Sequence, residues 1–108
     1  MDIESLRDYV LQKHGVTEGF PFGEDVLVFK VDNKLFLLVS LNLQPLQFNA
    51  KCNPDEALEL REEYPDTVLP GYHMNKKHWN TVIINGTLTN KQLLDMIDNS
   101  YNLVGKRK

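Results

Sequence analysis

The chain has 108 residues, of which 42% are hydrophobic and 25% charged, and it carries a formal net charge of −3. A chain of this length supports one core, and this composition excludes a disordered, collagen-like or low-complexity protein. Apolar runs such as Leu35 to Val39 are far shorter than the ~20 residues of a membrane helix. The acidic start Met1-Asp2-Ile3-Glu4 does not have the form of a secretory leader. Cys52 is the only cysteine, which excludes a disulfide framework and a multi-cysteine metal site. A single domain over residues 1–108, with a basic tail at 105–108, in a reducing cytoplasmic setting is the expectation.

Asp2 can cap a first helix with Ile3, Leu6 and Val10 on one face, and Gly15 is placed to end it. Residues 17–23, Thr-Glu-Gly-Phe-Pro-Phe-Gly, have the composition of a loop. Val26–Val31 and Leu35–Leu41 flank the polar turn Asp32-Asn33-Lys34 and predict a hairpin. Leu46, Phe48, Ala50 and Cys52 alternate with Gln47, Asn49 and Lys51, the period of a half-buried strand. Asn53-Pro54-Asp55-Glu56 is a helix start, and Pro65 a stop. Thr67–Leu69 predicts a short strand and Trp79–Ile84 a longer one, closed by Asn85-Gly86. Thr89 and Gln92 have the spacing of a capping box before a last helix with Leu93, Ile97, Tyr101 and Val104 inward.

This order predicts an α+β fold, a single two-layer domain with a mostly antiparallel sheet and three main helices. One sheet face packs on the helices. The other, carrying Gln47, Asn49, Lys51 and Asn80, is expected to be partly open to solvent.

Charge is unevenly spread. Residues 1–66 hold thirteen carboxylates against six Lys and Arg, a balance of −7, whereas residues 67–108 hold two against six, a balance of +4. No carboxylate occurs from Thr67 to Leu94, where Lys76, Lys77, Lys91, His73 and His78 lie. Such asymmetry suits an anionic partner, but a domain of net negative charge must place its cations somewhere, and on charge alone a solvated basic end is the favoured reading.

The densest unusual segment is Gly71-Tyr72-His73-Met74-Asn75-Lys76-Lys77-His78-Trp79-Asn80-Thr81. Lysines neutralise phosphates, Asn and His hydrogen-bond phosphate, sugar or base edges, and Tyr72 and Trp79 offer rings for stacking. The candidate nucleic-acid contacts are Lys51, His73, Asn75, Lys76, Lys77, His78 and Asn80. The candidate pocket or stacking residues are Tyr72 and Trp79. Against this stands a structural reading: Trp79 as a core anchor, and the polar side chains as partners for backbone groups in a demanding loop. His73 and His78 are not spaced to share a metal, and no metal or cofactor is expected. No G-x-S-x-G, Walker or G-x-G-x-x-G motif occurs, so no catalytic residue is assigned. Cys52 with a histidine is the only nucleophile–base pair available, and its place on an apolar strand face reads as a buried thiol.

Phe20-Pro21-Phe22-Gly23, Leu27-Val28-Phe29-Lys30-Val31, Lys51-Cys52-Asn53-Pro54 with Leu60-Arg61-Glu62, and above all the string from Pro70 to Asn80 resemble the MmcQ/YjbR family of small bacterial proteins. The resemblance runs from the first helix to about Val104. It implies an α+β fold of the double-wing type, in which β-hairpins flank helices, and a predicted DNA-binding role without a catalytic residue set. Fold likeness is a weak warrant for function. Three readings follow: a non-enzymatic DNA-binding protein, with a regulatory role open to it; a small-ligand or protein-binding module using the Tyr72–Trp79 loop as a pocket wall; and an enzyme built on Cys52. The net charge of −3 weighs against the first.

Overall fold

The computed structural model describes residues 1–72 and 74–105. His73 and the basic tail Lys106-Arg107-Lys108, both singled out above, lie outside the described residues. Three helices, α1 (Ile3–Leu11), α2 (Pro54–Glu63) and α3 (Asn90–Gly105), accompany six strands. These are β1 (Val16–Gly19), β2 (Val26–Val31), β3 (Lys34–Ser40), β4 (Gln47–Lys51), β5 (Val68–Pro70) and β6 (Trp79–Ile83). The sheet is antiparallel throughout, in the order β1-β2-β3-β4-β6-β5. The α+β architecture and three helices agree with the sequence reading.

The helix starts form as their residues dictate. The Asp2 carboxylate accepts from the Ser5 backbone N–H at 2.8 Å, and Asn53 Oδ1 accepts from Asp55 N–H at 3.0 Å. Thr89 and Gln92 exchange side chain and backbone bonds at 3.1 and 2.8 Å, a complete capping box. The hairpin between β2 and β3 turns on Asp32 and Asn33, both with positive φ (51° and 63°). Short polar side chains tolerate that conformation, and a two-residue turn of this hand matches the strand twist.

The segment from Thr17 corrects the sequence reading. Val16–Gly19 is an edge strand paired with Val28–Val31, not loop. Four residues with two exposed polar side chains carry no alternating apolar pattern, so only the waiting edge of β2 makes them a strand.

Alternation is broken once. Lys30 pairs with Leu35 and Phe29 with Leu37, which leaves Phe36 as a bulged residue. Both Phe36 and Leu37 thereby reach the helix side, where they are fully buried. The Phe36 ring meets Tyr101 of α3 edge-on, centroids 5.4 Å apart. The bulge also ends the β3–β4 ladder at Leu37–Ala50. The next groups, Phe36 C=O and Lys51 N–H, are bridged by the hydroxyl of Ser100 on α3. It accepts from Lys51 N–H at 2.8 Å and donates to Phe36 C=O at 2.5 Å.

The main core lies between the sheet and the helices, with Leu6, Phe29, Phe48, Val82, Leu93 and Ile97 among its members. Among the described residues no helix is long and apolar enough to cross a membrane. Ser100→Ala removes the bridge and leaves two polar groups unmatched in a fully buried position. It is expected to cost about 2 kcal/mol in denaturant unfolding, against no more than about 0.5 kcal/mol for Asn102→Ala at an exposed position of the same helix.

Candidate functional site

The pairing of β4 with β6 decides which side chains can meet. Lys51 sits opposite Trp79, Asn49 opposite Thr81, and Ala50 opposite Asn80. Since neighbours across a ladder share a face, Lys51, Asn49, Trp79 and Thr81 occupy the face away from the helices. Asn80 falls on the helix face, with Ala50. This corrects its assignment to the open polar face. Asn80 is 3% exposed, its Nδ2 donates to the Ala57 carbonyl at 3.4 Å, and its Oδ1 accepts from Arg61 Nε at 2.7 Å. It is an internal clamp, and a nucleic-acid contact from there is ruled out by burial.

Arg61, which the sequence reading did not select, is the organiser. Besides Asn80 its guanidinium donates to the carbonyls of Lys76 and, at 3.3 Å, of Trp79. One side chain of α2 therefore holds both ends of the segment 76–80. The signal was present in the sequence: Arg61 follows Ala57 by four residues, on the inward edge of the helix. The segment closes on itself in other ways. Asn75 Oδ1 accepts from Lys77 N–H at 2.9 Å, and Asn75 C=O from the N–H groups of His78 and Trp79. His78 C=O accepts from Cys52 N–H at 2.8 Å. Gly71 lies so close to β6 that a Cβ there would stand 2.8 Å from Trp79 Cβ.

Tyr72 and Met74 lie over the sheet face away from the helices. Tyr72 N–H donates to Thr81 Oγ1 at 3.0 Å, Thr81 Oγ1 to Asn49 Oδ1 at 2.5 Å, and Asn49 Nδ2 to Tyr72 C=O at 3.4 Å. Met74 packs on a small second cluster of Val28, Leu38 and Trp79, with Val26 and Leu35 at its edge. The face expected to be partly open is thus roofed in its middle. Trp79, 9% exposed, is an anchor beneath this roof and lacks the bare ring face that stacking requires. Tyr72 is 69% exposed.

The lysines divide. Lys76 Nζ donates to Gly71 C=O at 3.1 Å, so part of its donor capacity serves the loop. Lys77 is exposed and Lys51 half-buried on the face away from the helices. Lys91 is on α3, paired with Asp95 at 2.9 Å, and does not join them. The three salt bridges among the described residues, Arg7–Glu18, Lys13–Asp98 and Lys91–Asp95, all take cations from helices or their ends. On the sheet face away from the helices, the register places Lys30 and Lys51 and not one carboxylate at any strand position. Glu18, the only acidic strand residue, pairs with Phe29 on the helix side.

A cavity of about 310 Å³ opens between α2 and α3. Leu60, Tyr64 and Met96 wall it, Val82 and Cys52 lie at its base, and Glu56 is at its rim. Tyr72 and Trp79 are not among its described lining residues, so a small ligand held here would not use their loop as its wall. Burial, and then the nearby Glu56 carboxylate, push the Cys52 thiol up from its ordinary value. That is the direction opposite to activation of a cysteine nucleophile.

The YjbR family model matches residues 11–103. The chain belongs to the YjbR family. It is 42% identical to the protein YbdF of Escherichia coli O157:H7 over 96% of this chain and 88% of that one. It is 32% identical to YjbR of Escherichia coli K12, over 94% and 85% respectively. The crystal structure of Deinococcus radiodurans DR2400, a DUF419 domain, superposes with a TM-score of 0.93 at 36% identity, covering 97% of this chain and 79% of that chain. A Pseudomonas syringae protein superposes at 0.78 with 26% identity, covering 96% and 99%.

Gly71→Ala is expected to cost about 1–3 kcal/mol through overpacking against Trp79, measured by chemical denaturation, whereas Gly19→Ala, with nothing within 4 Å of its Cβ, leaves room for the methyl group. In the folded protein, Cys52 is expected to react with a thiol reagent far more slowly than free cysteine at the same pH, and at the free rate once unfolded. Equal rates in both states would show the thiol to be open and available for chemistry.

Proposed function

We propose that this protein is a non-enzymatic DNA-binding domain that meets the phosphate backbone with the sheet face away from its helices and with the loop residues from Met74 to His78. The observation that carries this reading is the separation of charge by layer. The carboxylates of α1, α2 and α3 and the strand carboxylate Glu18 belong to the helix side, where Arg7, Lys13 and Lys91 are engaged by acidic partners. Lys30 and Lys51 stand on a carboxylate-free strand surface, and Lys77 is exposed beside it in the loop. A local field of one sign steers a polyanion even when the whole molecule is net negative. The formal charge of −3 therefore weighs less than the sequence reading allowed, because ten of the fifteen carboxylates sit on the three helices or at Glu18.

Roles follow from placement. Lys51 and Lys77 contact phosphates, and Lys76 contributes chiefly by bracing the loop on Gly71. Asn75 shapes the turn that presents Lys77. Asn80 and Arg61 hold the loop from behind. Lys77 precedes Trp79, the register partner of Lys51, by two positions, so the two lysines belong to the same end of the β4–β6 pair.

The test is a titration of labelled DNA by fluorescence anisotropy across a range of salt concentrations. The double variant Lys51→Ala/Lys77→Ala is expected to bind more weakly and to flatten the log–log salt dependence by roughly two units, one per lost phosphate contact. Lys91→Ala is expected to leave that slope unchanged. Binding that ignores both salt and the Lys51/Lys77 pair would overturn the reading.

A further inference from the structure

We propose that the cleft between α2 and α3 binds a small aromatic amine, its ring held between the two helices and its ammonium group at the acidic mouth. The site lies on the helix side of the sheet and does not rest on the nucleic-acid reading above.

The cleft follows from where the helices are seated. α2 packs chiefly on β5, and α3 on β3 and β4. With the strands in the order β3-β4-β6-β5, a gap is left between the helices over β4 and β6. It measures about 310 Å³, within the size range of small-molecule sites. Its floor takes Ala50 of β4, Cys52 just beyond it, and Val82 of β6, all on the helix side of the sheet. Burial keeps the Cys52 thiol neutral, so the floor carries no charge. A hydrogen bond spans the cleft, from Gln92 Nε2 of α3 to the Tyr64 hydroxyl of α2 at 3.3 Å.

Each helix turns one stripe into the gap. On α2 this is Glu56, Leu60, Glu63 and Tyr64, and on α3 it is Gln92, Met96 and Asn99, both at the three- and four-residue intervals of a helix face. Leu60, Tyr64 and Met96 are only half-buried, although each packs against the main core. Their remaining apolar surface borders the cleft, since the two helices do not close on each other. A flat ring seated there would meet the Tyr64 ring from one side and the Met96 thioether from the other, two contacts that favour an aromatic body over an aliphatic one. The Asn99 amide, half-buried in the wall and without a partner among the described residues, offers an acceptor for a ring N–H.

The charges around the cleft choose the sign of the ligand. Glu56 and Glu63 border it with no ion-pair partner among the described residues. Asp95, the third carboxylate of the lining, is engaged by Lys91 at 2.9 Å. The cations close by are committed elsewhere. The register assigns the Lys51 side chain to the opposite face, with Trp79. The Arg61 guanidinium donates to Asn80 and to the carbonyls of Lys76 and Trp79. An apolar interior with uncompensated carboxylates at its mouth attracts an ammonium group and repels a carboxylate on the same ring.

The experiment titrates the full chain with three probes that share an indole ring: cationic tryptamine, neutral tryptophol and anionic indole-3-acetate. Binding is followed by two-dimensional NMR and by thermal shift. Tryptamine is expected to bind at least about fivefold more tightly than indole-3-acetate, with tryptophol between them. The resonances that move are expected to include the Met96 methyl group and the Cys52 backbone amide, and to leave Lys30 and Lys77 on the other side unaffected. Glu56→Gln/Glu63→Gln changes two exposed side chains, and its fold is checked by circular dichroism. It is expected to weaken tryptamine binding about two- to fivefold and to leave tryptophol binding as it was. Equal binding of cation and anion, an unchanged order of affinities in the double variant, shifts centred away from the cleft, or no shift with any probe would each overturn the proposal. None of these outcomes touches the DNA reading, which concerns the opposite face and is tested by its own titration.

Discussion

The register of β4 against β6 is the constraint on which the rest of the arrangement turns. Five residue pairs from Gln47–Ile83 to Lys51–Trp79 are set by it. Because strand side chains alternate strictly, a slip of one residue would exchange the two faces. Phe48 and Val82 would leave the core, and Trp79 would collide with the helix layer. The buried side chains on both surfaces lock the register in place, and with it the side of the sheet on which every polar residue of these strands appears.

From that register follows the division of labour between the layers. The helix side holds the large core, the salt bridges and the internal clamp of Arg61 on Asn80. The opposite side holds a much smaller apolar cluster, roofed by the segment after Gly71. Most of the polar residues in that segment are engaged in shaping it. Asn75, Lys76 and Thr81 satisfy backbone groups that a folded-back loop exposes, as buried or half-buried polar groups must be satisfied. The strand positions on that side carry Lys30 and Lys51 and no carboxylate.

Much of the fold was legible in the sequence. The helix caps at Asp2, Asn53 and Thr89 act through bonds within three residues, so local spacing revealed them. The hairpin at Asp32-Asn33 was legible because a turn of that kind needs residues that accept positive φ. The alternation from Gln47 to Cys52 disclosed a half-buried strand because one face of it meets a core. β1 escaped because its strand character is borrowed from β2 and leaves no pattern in Thr17-Glu18-Gly19. The bulge at Phe36 escaped because an unbroken apolar run, Leu35 to Val39, shows no phase.

The candidate site was legible as a segment and not as a set of roles. Composition alone singles out Tyr72 to Trp79, and it also places Lys51 on the outer face of its strand. Which of these groups remains available was decided by tertiary structure, because hydrogen-bond partners distant in the chain compete for them. Arg61 reaches Asn80 across nineteen positions, and Tyr72 is tied to Thr81 and Asn49 on two strands. The face taken by Asn80 depends on where β6 begins relative to β4, a choice made by packing of the whole sheet. Local bonding and side-chain period are written in neighbouring residues, so the sequence by itself determined elements, caps and fold class. The sorting of charge between two faces is a property of the assembled layers, and only the tertiary structure could decide it.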